Sequence, residues 1–368
     1  MKRFFSLWLI LGALTGAAWS AEGNRAPLRI GIVGLAHDHA QGFLSDLGSP
    51  HEVELAGIAE ANPVLVARYR ERYHLPAEIF YPDLESMLAA TKVTAVAVCS
   101  STFDHVAIIR VCAARGVHVM VEKPLATTLA QAREIEAIAR ESGIHVVVNY
   151  ETTWHPAMQA LPEASRGIGE LRKIVVHDGH QGPREIGASP EFLAWLTDPK
   201  LNGGGALMDF GCYGADLITW LMQGQRPLAV TAVTQHIKPA VYPNVDDEAT
   251  IILTYPHAQG IIQASWNWPY GRKDLELYGT NGSVLAPQRD LLRIRVGKAP
   301  EREQLLPPLV GVQANSLAYF AAVIRGEIQP AGLSGLETNL VVMEILDAAR
   351  ESARTGKTIE LSPAPGPR

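Results

Sequence analysis

Several common features are missing from this chain, and each absence narrows what it can be. Its 368 residues hold three cysteines, Cys99, Cys112 and Cys212, with no Cys-x-x-Cys pair. They read as buried free thiols on a strand, a helix and a glycine-rich turn rather than as a disulfide. Aromatic residues make up only 7% and charged ones 19%, against 47% hydrophobic, which is ordinary globular composition, excludes a disordered chain and leaves enough length for two domains. Lysine and arginine total 32 against 38 acidic residues, a net charge of -6, and no basic run follows the first residues. Nucleic acid and an anionic membrane surface are thereby excluded as partners. No internal repeat is found, and after residue 20 no apolar run reaches the roughly 20 residues of a spanning helix.

The first residues are different. Lys2-Arg3, the apolar run from Phe4 to Leu14 and the small-residue stretch ending Ala18-Trp19-Ser20 have the three parts of a secretory signal, with cleavage expected after Ser20. The chain is therefore expected to be exported, periplasmic or secreted. Lys2-Arg3-Phe4-Phe5 also half-matches a twin-arginine signal, with lysine in place of the first arginine and Ser6 where leucine is usual.

From Leu28 apolar strands alternate with amphipathic helices. Strands are predicted at Leu28–Gly34, Val53–Glu60, Ala95–Cys99, Val117–Val121 and His145–Asn149, and helices at Pro63–Tyr73, Leu84–Ala90, His105–Arg115 and Leu129–Ser142. This is the pattern of a doubly wound parallel sheet. The period then changes to two, with strands predicted at Leu171–His177, Leu228–Gln235, Ala249–Tyr255, Ala258–Trp266, and Asp274–Tyr278 with Val284, followed by helices Gln313–Arg325 and Leu336–Thr355. The reading is a signal peptide (1–20), an NAD(P)-binding Rossmann domain (25–149), an α+β domain with a large, mainly antiparallel open sheet (150–362) and a loose proline-rich tail (363–368).

The first strand-to-helix turn, Gly31-Ile32-Val33-Gly34-Leu35-Ala36-His37-Asp38-His39-Ala40, keeps one glycine of the dinucleotide fingerprint. Gly34 stands at the tight bend, Ala36 where the backbone approaches a pyrophosphate, and His39 at the helix-packing position. Glu60 closes the second strand about 20 residues further on, where a carboxylate holds the ribose hydroxyls and repels a 2'-phosphate, so NAD is favoured, with NADP the alternative. His37-Asp38-His39 and His177-Asp178-Gly179-His180 suggest a metal, but histidines two apart diverge on a strand or helix, and no metal is expected. One of the first pair is assigned to the cofactor phosphates and the other to capping the helix, while His180 is expected to leave a strand toward the crevice. Glu122-Lys123-Pro124 ends the apolar run Val117–Val121, which sets a lysine where a parallel strand meets a cofactor crevice. Its ammonium can hold a substrate hydroxyl beside a nicotinamide and take part in proton transfer.

In this order, the turn, Glu60, Ser101-Thr102-Phe103-Asp104-His105, Glu122-Lys123-Pro124, Gly203-Gly204-Gly205 with Asp209-Phe210-Gly211-Cys212-Tyr213-Gly214-Ala215-Asp216, and Tyr278-Gly279-Thr280-Asn281-Gly282-Ser283 resemble the Gfo/Idh/MocA oxidoreductase family from Leu28 to about Leu361. The resemblance implies a Rossmann domain, a second open-sheet domain that forms homo-oligomer interfaces, and a sugar, inositol or related small-molecule substrate. By position it implies Lys123 as the catalytic lysine, Asp209 as a residue orienting substrate, and Tyr213 in the place where many members have histidine. Tyr213 would exchange the proton, its pKa lowered by Lys123. Gly34, Ala36, His37, His39, Glu60, Ser101, Thr102, His105, Glu122 and Lys123 would form the cofactor site, although Thr102 replaces the asparagine of the family's Thr-Pro-Asn segment. Tyr150, Trp154, His180 and Arg184, then His155 and Trp266, are candidates for the substrate pocket.

Three activities fit these residues. The first is an oxidoreductase with a tightly bound nicotinamide that acts on a sugar-type hydroxyl or carbonyl. The second is a redox-neutral glycosidase or lyase that oxidises, eliminates and reduces again. The third is a carbohydrate-binding protein without catalysis.

Overall fold

The computed structural model describes residues 27–47 and 53–361; the expected signal at 1–20 and the tail at 363–368 lie outside them. The first half runs β1 (Leu28–Val33), α1 (Ala40–Asp46), β2 (Val53–Ala59), α2 (Pro63–Tyr73), β3 (Phe80–Tyr81), α3 (Leu84–Ala90), β4 (Ala95–Val98), α4 (His105–Ala113), β5 (His118–Glu122), α5 (Leu129–Ser142) and β6 (Val146–Asn149). The strands pair in parallel in the order β3-β2-β1-β4-β5-β6. This is the doubly wound order, and it opens a crevice where the sheet reverses between β1 and β4. Helices cover both faces, so β4 is buried at every position, which is why such strands read as unbroken apolar runs. Local signals set the helix ends. Asn62 accepts from the Val64 amide ahead of Pro63, and Thr128 accepts from the Gln131 amide before α5, which stops at left-handed Gly143.

The second half runs α6 (Pro156–Ala164), β7 (Leu171–Gly179), α7 (Pro190–Leu196), α8 (Ala206–Asp209), α9 (Gly211–Leu221), β8 (Ala229–Gln235), β9 (Glu248–Thr254), β10 (Gln259–Ser265), β11 (Arg272–Gly279), β12 (Gly282–Gln288), β13 (Leu291–Val296), β14 (Arg302–Leu305), α10 (Ser316–Ile324), α11 (Leu336–Thr355) and β15 (Ile359–Glu360). Nine strands form one sheet ordered β14-β13-β12-β11-β7-β10-β9-β8-β15, antiparallel except where β7 and β10 run parallel. Its inner face carries Ile174, Val176, Ile262, Ala264, Leu275 and Leu277, all buried in one core with α9 and α11. Cys99, Cys112 and Cys212 are buried free thiols. Cys212 lies inside α9 rather than in a turn, because the helix starts at Gly211. No helix among the described residues is long and apolar enough to cross a membrane.

Candidate functional site

The turn after β1 is shaped by close approach. Gly34 has φ +80°, and a Cβ there would lie 3.0 Å from the Cys99 carbonyl oxygen and 3.1 Å from the Ser100 nitrogen, so neither a side chain nor its conformation would be tolerated. Glu60 reaches back across the crevice edge, its carboxylate accepting from the amides of Leu35 at 2.7 Å and Asn62 at 2.8 Å. A bend without a side chain and a carboxylate fixed at the strand end fit an adenine dinucleotide. Gly34 and Glu60 would hold it, with Ala36 and His39 on the turn beside them.

The two histidines divide their work differently from the sequence expectation. His39 occupies the position before α1 without capping it through its side chain. Its Nδ1 is 2.8 Å from Glu122 Oε2, and the other Glu122 oxygen accepts from Asn149 Nδ2 at 2.7 Å. His37 makes the cap-like contact, Nδ1 accepting from the His39 amide at 3.2 Å. Burial, then the neighbouring His39, lowers the His37 pKa well below its usual value. Its ring packs against Phe192 at 4.7 Å and Trp195 at 5.2 Å. The irregular turn does bring His37, His39 and Glu122 donor atoms within 4.8 Å of one another. An imidazole whose Nδ1 accepts an amide proton carries its own proton on Nε2, however, so the His37 seen here is a hydrogen-bonded core residue and not a prepared ligand.

α7, from the second half, covers this turn. Asp38 accepts from the Ser189 amide at 2.9 Å, Trp195 Nε1 donates to the Ala36 carbonyl at 3.3 Å, and Arg68 forms a two-pronged bond to Glu191, 2.9 Å at each arm. Ser101 bonds Asp104 at 2.6 Å. Thr102 and His105 are both buried: Thr102 Oγ1 donates to Asn202 at 3.2 Å and His105 Nδ1 lies 3.0 Å from the Leu125 carbonyl.

Lys123, just past β5, is buried. Its ammonium donates to the Asp209 carbonyl at 3.0 Å and to Asp209 Oδ1 at 2.5 Å. The second Asp209 oxygen accepts from Trp266 Nε1 at 3.0 Å. Burial alone would lower the Lys123 pKa; the Asp209 charge, the Cys212 thiol, the hydrogen bond to Asp209 and the Glu122 charge together more than offset it, so the lysine ends above its usual value. Asp209 is lowered in spite of burial, chiefly by Lys123. The aspartate is delivered by α8, whose start is built by Gly205: a Cβ there would sit 1.8 Å from the Asp246 oxygen, and Asp246 accepts from the Gly205 and Leu207 amides.

Tyr213 stands beside this pair, Lys123 Nζ lying 5.0 Å from its ring centroid. Its pKa moves opposite to the expected direction. Burial, then the Glu151 and Asp178 carboxylates, push the phenol well above its usual value. Among the described residues its hydroxyl makes no hydrogen bond.

Other candidates separate. Trp154 lines a cleft of about 470 Å³ with His39, Glu122, Asn149, Glu151 and Arg289. His180 and His155 line a neighbouring cleft of about 760 Å³ with Phe210, Arg272 and Lys273. Tyr150 does not reach a pocket: it is fully buried, its hydroxyl bonded to Asn339 at 3.0 Å and its ring edge-on to Tyr213. Trp266 is likewise core and acts on the site only through Asp209. Arg184 is exposed on the loop after β7 and lines neither cleft.

Lys273 on β11 has no place among the residues the sequence singled out, and Asp178 on β7, directly opposite it in register, stands there only within the His177-Asp178-Gly179-His180 motif. A signal was available: both stand in phase with buried apolar residues, Lys273 with Leu275 and Leu277, Asp178 with Ile174 and Val176. A charge in an inward phase needs a partner or a purpose.

Comparison with known proteins agrees with this architecture. Residues 28–150 match the oxidoreductase family with NAD-binding Rossmann fold, and residues 163–285 match the GFO/IDH/MocA C-terminal domain. The chain is 24% identical over 349 residues to trans-1,2-dihydrobenzene-1,2-diol dehydrogenase of Mus musculus, covering 88% of this chain and 96% of that one. It is 26% identical over 305 residues to D-apiose dehydrogenase of Paraburkholderia graminis, covering 77% of each. The inositol dehydrogenase homolog of Azotobacter vinelandii, crystallised with NAD+, superimposes with a TM-score of 0.79 at 20% identity, over 91% of this chain and 98% of that one. The chain belongs to the Gfo/Idh/MocA oxidoreductases, NAD(P)-dependent enzymes, and its first domain is their NAD-binding Rossmann unit.

Proposed function

We propose that this protein oxidises a hydroxyl, or reduces the matching carbonyl, of a sugar or sugar derivative whose reacting oxygen is held by Lys123. The Lys123 to Asp209 pair, braced by Trp266 at the edge of the cofactor crevice, carries this reading. NAD, when bound, accepts or returns the hydride. Lys123 donates a charge-assisted hydrogen bond to the oxygen as negative charge grows on it, and Asp209 fixes that ammonium so that no reorganisation is needed. Tyr213 offers a neutral phenol as a further donor, and Trp154, His155 and His180 line the clefts where a polyol ring would lie. The names of the dehydrogenase relatives support the substrate class.

The signal-like residues 1–20 support export, and an exported enzyme has no maintained pool of free nicotinamide, so the cofactor is retained through turnover. Exposed Val233, on the sheet face away from α9 and α11, supports self-association through that face. The test is to denature the purified protein, identify the released dinucleotide, and add a panel of sugars and polyols to the native protein while following nicotinamide absorbance. Released NAD together with reduction by one member of the panel is expected. No dinucleotide and no response would refute the proposal.

A further inference from the structure

If Lys123 holds the substrate oxygen, something else must take its proton. Lys123 keeps its own, because Asp209 raises its pKa, and Tyr213 is pushed far from ionising. Asp209 is spent on Lys123 and Trp266, and His180 Nδ1 already accepts from the Gly182 amide at 2.9 Å, which leaves the neutral ring's own proton on Nε2. One carboxylate near the site has an ammonium as its ion-pair partner and nothing else to hold its second oxygen. Asp178 is 1% exposed, and neither of its oxygens has a hydrogen-bond partner. Lys273 Nζ lies 3.3 Å from Asp178 Oδ1, 3.4 Å from Glu151 Oε2 and 3.9 Å from the Tyr213 ring centroid, and it lines the larger cleft. Both lysines meet the same two rings, Lys273 being 5.4 Å and Lys123 5.9 Å from Phe210.

Resting on the reaction proposed above, we infer that Lys273 and Asp178 form the proton exit of the site: Lys273 touches the substrate and Asp178, behind it, receives the proton. In oxidation the C–H bond breaks and its electron pair leaves with the hydride that the cofactor accepts. The hydroxyl proton moves to the Lys273 nitrogen as one of that ammonium's protons moves to Asp178. Lys273 is an ammonium before and after, Asp178 goes from carboxylate to carboxyl, and reduction runs the same path backward.

Proton affinity agrees with the geometry. Burial raises the Asp178 pKa to about 7, with Lys273 and then Lys123 opposing and Glu151 adding to it. Lys273 itself stays charged, since Asp178 and Glu151 outweigh its burial. The charged and titratable groups facing the pair are Lys123 after β5, Glu151 and His155 before α6, His180 after β7, Asp209 on α8, and Cys212 and Tyr213 on α9. The proton-accepting form of Asp178 is the ionised one, so oxidation gains rate as pH rises through neutrality, and reduction gains rate as pH falls.

Two readouts test this. Infrared titration of the protein without substrate should show a protonated-carboxyl band that disappears as pH rises through about 7 and is missing in Asp178→Asn. In turnover, Asp178→Asn should lose the neutral limb of the kcat profile and slow oxidation by roughly 100-fold or more, the usual worth of a positioned proton acceptor. Lys273→Gln should lose the same limb, and it carries the test if Asp178→Asn does not fold. Lys123→Arg should be slow yet keep the limb. Asp178→Asn retaining both band and limb overturns the assignment, as does a wild-type profile flat through neutrality. A wild type that responds to no sugar or polyol overturns the oxidoreductase reading instead, and it is recognisable because every variant is then equally silent.

Discussion

At the residue scale, Lys123 and Asp209 are a buried pair in which each neutralises the other. Lys123→Ala should therefore do two separable things. It removes the donor, lowering turnover by roughly 100-fold or more. It also strands a buried carboxylate, which costs about 3–5 kcal/mol. Adding Asp209→Asn should restore most of the melting temperature but none of the activity. If the double variant melts as early as the single one, the loss lies in packing rather than in charge. Tyr213→Phe reads out differently. The lost hydroxyl makes no bond within the described protein, so the melting temperature should hold while turnover falls by about 100-fold; an early-melting variant active per folded molecule would make the tyrosine structural. Lys123 was legible in the sequence because a strand end is a local feature. The role of Trp266 was not, because its indole meets Asp209 from 57 positions further along the chain.

At the scale of elements, the turn between β1 and α1 depends on Gly34. Gly34→Ala adds a methyl against the Cys99–Ser100 backbone just after β4, at φ +80°, where an alanine backbone alone costs about 1–2 kcal/mol. The matched control is Gly116→Ala, with φ +66° and nothing within 4 Å. Both should lose melting temperature, but only Gly34→Ala should also lose bound dinucleotide, as measured by cofactor content per folded protein. Equal cofactor content in the two would remove the turn from the binding site. Most strands and helices were legible from period and caps; α2, α3, α5 and α11 begin and end where the sequence put them. The two-residue strands β3 and β15 were not, since they exist only as pairings to β2 and β8 and have no period of their own.

At the scale of the whole molecule, the second half closes over the first. α7 and its cap bind the cofactor turn through Ser189 and Trp195 and helix α2 through Glu191, so the dinucleotide site is walled by both halves. This agrees with a cofactor that stays in place. Exhaustive dialysis of the purified protein, followed by assay without added NAD, should leave turnover with a substrate pair largely unchanged. Activity that vanishes and returns only with added NAD would remove the retained-cofactor proposal, and the argument from export with it.

The sequence by itself determined the class of fold, the order of its most strongly periodic elements and the places where a glycine, a carboxylate and a lysine leave their strands, because hydrophobic period, caps and strand ends act over a few neighbouring residues. Which side chains meet was decided by tertiary structure. Lys273 finds Asp178 only because β11 pairs with β7 in one register, and a shift of one residue would turn both to the opposite face. The same packing buries Tyr150, leaves Arg184 outside, and sets the Lys123 ammonium against Asp209.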